Sequence, residues 1–249
     1  MSSITISLIV LACVFGGALF GFLLHAVLPQ HHLTSDTKDI VKLGMGLVGT
    51  MAALVLGLLV ASAKGNYDAQ SAELTQMSAN VALLDRVLAR YGPEAKEMRA
   101  FLRAAVIRAL DQIWPKPGTT QLPPTAAGGE VFYEKIQGLS PENDVQRSLQ
   151  SQATSIAVDI GKTRWLMYEQ ATSSVSLPLL VVLVLWLSVI FVSFGLFAPF
   201  NAIAVSSLFV SAVAVSGAIF LILEMYSPYT GLIQISDAPL RAVIANLGR

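Results

Sequence analysis

Apolar and charged positions do not alternate along this chain; they fall in long separate blocks. Residues 1–35 contain no Asp, Glu, Lys or Arg, and neither do residues 43–63 or 170–223. About 20 apolar residues in a helix rising ~1.5 Å per residue cross the ~30 Å hydrocarbon core of a bilayer. The first block predicts one span over roughly 4–28, and the second predicts one over 43–63. The third is too long for one helix and is interrupted at Ala198-Pro199-Phe200-Asn201. Proline disfavours helix for the residue before it, so spans over 177–197 and 202–225 joined by a tight turn are predicted. The first block lacks a basic stretch before Ile4 and exceeds the ~7–15 apolar residues of a signal peptide, so it reads as a span.

Between the second and third spans the pattern changes to helical stripes. Leu74, Met77, Val81, Leu84, Leu88 and Tyr91 recur at spacings of 3 and 4, the seam of helix-on-helix packing. No proline occurs from residue 43 until Pro93, which predicts one helix over about 43–91, leaving the membrane as a stalk. Packing inside a helical bundle is the first reading of that seam and subunit contact the second, and the two are not exclusive. Pro93 and Glu94 suit the first turn of a helix reaching about Trp114, with Met98, Leu102, Ala105, Ala109 and Ile113 on one face. Residues 115–129 hold four prolines and three glycines and read as a loop. Ser140-Pro141-Glu142 reads as the start of a further helix carrying Val145, Leu149, Ile156, Ile160, Thr163 and Met167. Past the fourth span, Pro239 to Leu247 predicts a short amphipathic helix.

The fold class that follows is an all-α membrane protein. It has four transmembrane helices and a cytoplasmic helical bundle continuous with the second and third spans. The expected divisions are 1–63, a first transmembrane hairpin; 64–175, the helical domain; 176–225, a second hairpin; and 226–249, a C-terminal amphipathic segment. Twelve of the sixteen Lys and Arg lie in 64–175, and Lys64, Lys162, Arg164 and Arg241 near the spans outnumber Lys38 and Lys42. The bias of basic residues toward the cytoplasm then places both termini and the middle segment inside.

Composition narrows the functions. Charged residues are 13% of the chain, against about 25% in soluble domains. Sixteen basic and sixteen acidic residues leave no surplus for nucleic acid. The lone Cys13 sits among apolar neighbours and is expected to be a small buried hydrophobe. No catalytic constellation, cofactor motif or metal-ligand spacing is found, so an enzyme is not expected. His25, His31 and His32 read as parts of a solvated outer loop.

Because lipid is as apolar as leucine, small residues that permit close backbone approach hold membrane helices together. Gly49, Ala53, Gly57 and Ala61 form such a ladder on the second span. Cys13, Gly17 and Gly21 form one on the first span, and Ser207, Ser211, Ala214 and Ala218 one on the fourth. Thr50, Leu54, Leu58 and Lys64 are candidate pore-lining positions, with Thr50 and Lys64 as polar contacts and the two leucines as a dewetted constriction. The ladder and Lys64 are expected on one face and the leucines on another, so both would meet one axis only if the helix tilts or kinks, as at Gly57. Glu224, in Phe220-Leu221-Ile222-Leu223-Glu224-Met225, is a candidate gating or structural charge. Its expected partners are a loop N–H, Lys64 or Arg241.

Two stretches carry a resemblance. Residues 46–68, with the stalk to Tyr91-Gly92-Pro93, are one. Leu223-Glu224-Met225, Pro228, Gly231-Leu232-Ile233 and Ala238-Pro239-Leu240-Arg241 are the other. Together they resemble the bestrophin-like family of bacterial four-span membrane proteins. That resemblance implies remote kinship with bestrophins, which are pentameric anion channels. The sequence departs from them in having no Phe, Tyr or Trp from Val48 to Val60 and no acidic run after the fourth span, only Glu224 and Asp237. The expectation is therefore an oligomeric ion channel of the bacterial inner membrane, taking small anions, with the lipid bilayer and further copies of the chain as partners and without calcium gating. The alternative is a membrane scaffold or sensor whose helical bundle binds a partner without transport.

Overall fold

The computed structural model describes residues 2–28, 35–114, 127–171 and 176–248. Every regular element among them is helical: α1 (Ser3–Val27), α2 (Ser35–Tyr91), a 3-10 turn (Pro93–Ala95), α3 (Lys96–Ile113), α4 (Ala127–Gln137), α5 (Asp144–Ala171), α6 (Leu177–Phe197), α7 (Ala202–Met225) and α8 (Ala238–Asn246). Four of them (α1, α2, α6 and α7) are long and apolar enough to cross a membrane. Their limits follow local chemistry. Ser2 caps α1 by accepting from Thr5 N at 3.2 Å. Pro178 occupies the first turn of α6, where its missing N–H leaves no bond unmade. Asn201 ends the turn after Pro199 by accepting from Ala204 N at 2.7 Å, which starts α7.

Three boundaries differ from the sequence reading. α2 begins at Ser35 rather than near residue 43, because nothing in the polar stretch Asp36–Lys42 breaks a helix and Lys42 pairs with Asp39 one turn away. α5 begins at Asp144, not at Ser140-Pro141; Asn143 Oδ1 takes Gln146 N at 2.8 Å, so the cap falls three residues later. α4 already includes residues 127–129, which read as loop from their glycines. The remainder of that expected loop, 115–126, lies outside the described residues, as do His31 and His32.

The chain divides into two compact units, one of residues 1–66 and 174–227 and the other of residues 67–173 and 228–249. In the first, Val10, Val14 and Ala18 of α1 pack with Leu180 and Phe191 of α6 and with Ala212, Ile219 and Leu223 of α7. The α1–α6 approach is very close. A Cβ added at Gly21 would strike Val192 O and come within 2.8 Å of Leu196 N. One at Gly195 would strike Ala18 O, and one at Gly17 would lie 2.9 Å from Ser188 O. Two side-chain bonds cross the same bundle. Ser216 Oγ donates to Ser7 O at 2.6 Å, and His25 Nδ1 donates to Leu196 O at 2.8 Å. His25 is thus a structural donor in the last turn of α1 rather than a solvated loop residue. Cys13, expected to be buried, is exposed on the surface of this unit; Val10, Val14 and Ala18 take the inner positions.

In the second unit the 74–91 seam is wholly internal. Leu74, Met77, Val81, Leu84, Leu88 and Tyr91 are all buried, so the seam packs within the chain's own bundle. On α3 the buried face is Met98, Leu102, Val106 and Leu110, with the predicted Ala105, Ala109 and Ile113 only half-buried. The face is rotated because Val106 and Leu110 offer more apolar area than the two alanines. On α5, Ile156 and Met167 are buried as expected, Leu149, Ile160 and Thr163 are half-buried, and Val145 is exposed. Leu240 of α8 is buried with Ile235 and Leu247, so this amphipathic helix packs on the bundle. Asp85 and Arg99 form a bidentate ion pair at 2.8 and 2.9 Å between α2 and α3. That bond holds the guanidinium pKa above its usual value.

The glycine crossing yields a test. Gly195→Ala and Gly21→Ala each place a methyl against backbone that cannot rotate away, and overpacking of this kind costs about 1–3 kcal/mol. Both should lower the detergent melting temperature by several degrees, while Gly16→Ala, whose Cβ meets nothing within 4 Å, should leave it unchanged. Equal melting temperatures for the three variants would show that this crossing does not hold the bundle together.

Candidate pore-facing surface

The α2 span has two sides of different character. Ala52, Leu59 and Ala63 are buried against Leu183 of α6 and Ile222 of α7, with Val55 and Leu56 partly covered. Small residues there allow the helix to sit close while the two large ones fill the gaps. Elsewhere the span is uncovered: 11% of its most apolar stretch is buried within the chain, against 39% for α6. The outer side carries Leu43, Leu47, Leu54 and Leu58, which are 64–76% exposed.

Helix geometry places the candidate residues on this outer side. At 100° per residue, Thr50, Leu58 and Ala61 fall within about 40° of Leu54, and Gly57 and Lys64 within about 80°. Leu54, Leu58, Thr50, Gly57, Ala61 and Lys64 are all exposed. The expected opposition between a ladder face and a leucine face is therefore not found at Gly57 and Ala61, and no kink is needed to bring them to one side. Only the far end of the ladder departs. Gly49 turns toward α6, where a Cβ would lie 4.0 Å from Ile190 Cδ1, and Ala53 sits between the two sides. A Cβ at Gly57 would meet nothing within 4 Å, so no partner of that glycine lies among the described residues of its chain. On α7 the small residues Ser207, Ser211 and Ala214 are likewise exposed; the packing positions are Ala212, Ser216 and Ile219.

The polar groups of this surface are few. Thr50 Oγ1 donates back to Gly46 O at 2.9 Å, which satisfies the hydroxyl proton within the helix and leaves its lone pairs outward. Ser62 and Tyr226 share a hydrogen bond of 3.1 Å at the other end of the span. Lys64 closes the charge-free stretch. Glu224 is 4% exposed in the last turn of α7. Arg241, one of the expected partners of Glu224, donates to Asp237 at 2.6 Å. Among the described residues no cluster of three His, Cys, Asp or Glu is arranged to hold a metal.

Chemistry that sequence reasoning missed lies in the second unit. Gln70 and Glu73 are one turn apart on α2, and Tyr229 belongs to the strap before α8. Gln70 Oε1, Glu73 Oε2 and the Tyr229 hydroxyl are buried without a hydrogen-bond partner among the described residues. The strap is pinned by Tyr67 OH donating to Gln234 O at 3.3 Å and by Trp114 Nε1 donating to Ile235 O at 3.1 Å. Glu73 Oε1 accepts from Gln170 Nε2 at 2.7 Å. The clue in the sequence was a run of polar residues at the foot of an apolar seam, which periodicity alone assigns to solvent. Burial, helped by the charge of Glu73, pushes the Tyr229 phenol up to about 12. Its phenol stays protonated in the folded chain while the unfolded chain ionises near pH 10. Folding stability contributed by this group is thus intact below pH 10 and lost between about pH 10 and 12. Tyr229→Phe should flatten that alkaline loss in thermal melts recorded from pH 9 to 12; an unchanged pH profile would place the phenol in water.

Comparison with known proteins gives a consistent result. A sequence model of the Bestrophin-like domain matches residues 11–240. No curated protein matches the chain by sequence. Several solved structures do match its fold. Among them are three variants of a bacterial bestrophin homologue from Klebsiella pneumoniae. One aligns with a TM-score of 0.73 at 15% identity over 99% of this chain and 97% of the other. The second gives 0.69 at 15% identity over 96% and 97%, and the third 0.66 at 14% identity over 94% and 97%.

Proposed function

Since the chain belongs to the Bestrophin-like family, we propose that it forms a homo-oligomeric ion channel in the bacterial inner membrane. In this reading copies of α2 surround the axis and small anions are the permeant species. Kinship suggests a pentamer. The observation that carries the reading is the outer side of α2. Large leucines alternate there with Thr50, Gly57 and Ala61, and all of them are exposed among the described residues. A purely lipid-facing helix gains nothing from small residues on its outer side, whereas helices meeting around a narrow lumen need them. Leu54 and Leu58 would form a constriction that excludes water when closed. Thr50 would offer hydroxyl oxygens on one side of it, and Lys64 positive potential at the cytoplasmic mouth. Glu224 is assigned a gating or structural role at the same end of the bundle.

Leu54→Ser and Leu58→Ser should each wet the constriction and raise chloride flux into liposomes. A lysine about 8 Å from an ion contributes about 0.5 kcal/mol in water. Reversing several copies with Lys64→Glu therefore exceeds about 1.4 kcal/mol and should cut the chloride-over-sodium ratio by more than about tenfold. If the wild type and both serine variants pass no ion after confirmed reconstitution, the channel reading fails.

Orientation is tested separately. A cytoplasmic reporter joined after Gly128 should be active and a periplasmic phosphatase at the same site inactive; the reverse result would invert the topology.

A second reading, a scaffold or sensor without transport, draws on α5. Val145, Val158, Trp165 and Leu166 are 39–69% exposed there, a surface suited to a protein partner.

A further inference from the structure

At the Lys42 end of the transmembrane unit, α2, α6 and α7 do not close on one another. They leave an apolar cleft of about 660 Å³ whose lining includes Gly46 and Gly49 of α2, Ile190 and Phe194 of α6, and Leu208 of α7, with Lys42 also on its wall. The two glycines keep it open. A Cβ at Gly46 would meet nothing within 4 Å, and one at Gly49 only Ile190 Cδ1 at 4.0 Å. Glycine in a helix interior costs roughly 0.5–1 kcal/mol relative to alanine. At the α1–α6 crossing that cost is offset by close backbone contact, but at Gly46 and Gly49 no backbone approaches. What these two positions provide is space.

The position of that space identifies its occupant. Lys42 and Lys64 bracket the charge-free part of α2 and lie about 33 Å apart along its axis, close to the ~30 Å of a hydrocarbon core. Lys42 therefore stands at headgroup level, and the wall from Lys42 to Gly49 descends about 10 Å into the acyl region. Solvent at that depth is lipid chain, and an apolar cleft there is filled by it. The ammonium is accessible: Lys42 meets Asp39 at 3.5 Å, with the two side chains 68% and 71% exposed. Such surface pairs are worth 0–1 kcal/mol and yield readily to a phosphate.

We propose that this cleft is a lipid-binding site that takes one acyl chain of an anionic phospholipid, with Lys42 Nζ contacting the lipid phosphate. The inference is independent of ion conduction, and its test reads binding. The purified full-length protein is titrated with phosphatidylglycerol or phosphatidylcholine, and lipids retained per protomer are counted by native mass spectrometry. Wild type should retain phosphatidylglycerol about fivefold more tightly than phosphatidylcholine, the preference expected of one lysine at an anionic headgroup. Lys42→Gln should abolish the preference while still retaining lipid. Gly46→Leu and Gly49→Leu, at positions where an added Cβ meets no backbone, fill the cleft and should lose both lipids with helicity and melting temperature maintained. Undiminished lipid retention in either leucine variant would overturn the site, as would an unchanged headgroup preference in Lys42→Gln. Quantitative disulfide cross-linking between protomers of Cys13→Ser carrying Met45→Cys would also overturn it, because a second copy would then occupy the cleft.

Discussion

The transmembrane unit depends on the backbone contact between α1 and α6. In lipid, burial of apolar surface gives helices no reason to prefer one another over acyl chains, so association rests on close fit and on hydrogen bonds that lipid cannot supply. Gly21 and Gly195 face one another so closely that a single methyl at either would strike the opposite carbonyl. Ser216 and His25 then fasten α1 to α7 and α6 through backbone oxygens. With α1, α6 and α7 joined in this way, α2 has a surface to rest on. Ala52, Leu59 and Ala63 are the residues that use it.

That division of labour explains why one helix shows such different surfaces along its length. In the transmembrane unit α2 buries a narrow strip and leaves the rest uncovered. In the second unit, residues 74–91 of the same helix bury their whole seam. The medium accounts for the difference. Leucine in lipid is at no disadvantage when exposed, so Leu54 and Leu58 can remain outward. Leucine in water is driven inward at about 25 cal/mol per Å², so Leu74, Leu84 and Leu88 are completely enclosed.

The polar interior of the second unit follows the same logic. Asp85 is tolerated beside the seam because Arg99 meets both of its oxygens. Breaking such a pair leaves an uncompensated charge, which costs more than the pair itself contributes. Gln150 Nε2 serves the end of α4 similarly, donating to Ile136 O and Leu139 O at 2.9 Å each. Gln146 Nε2 reaches Tyr91 O at 3.1 Å, just before Gly92, whose φ of 137° lets the chain turn out of α2.

The sequence by itself determined the helical class, the presence of four helices long and apolar enough to cross a membrane, and the limits of α6 and α7. Charge-free blocks of span length and the stop at Pro199-Phe200-Asn201 depend only on local composition and backbone sterics, so α6 and α7 fall where residues 177–197 and 202–225 predicted them. It also determined which residues of the stalk are apolar in register, because a 3,4 spacing has meaning in one helix alone. The tertiary structure decided which side of each span is covered. All sides of a membrane helix are apolar, and periodicity carries no direction there. Gly57 and Gly195 are both single small residues in apolar runs, yet one faces open space and the other a carbonyl. The partner that distinguishes them lies on a helix distant in sequence. The same holds for Asp85 with Arg99, for Tyr229 with Glu73, and for the cleft beside Lys42. Each arises where separate segments of the chain meet, and such meetings are a property of the packed chain.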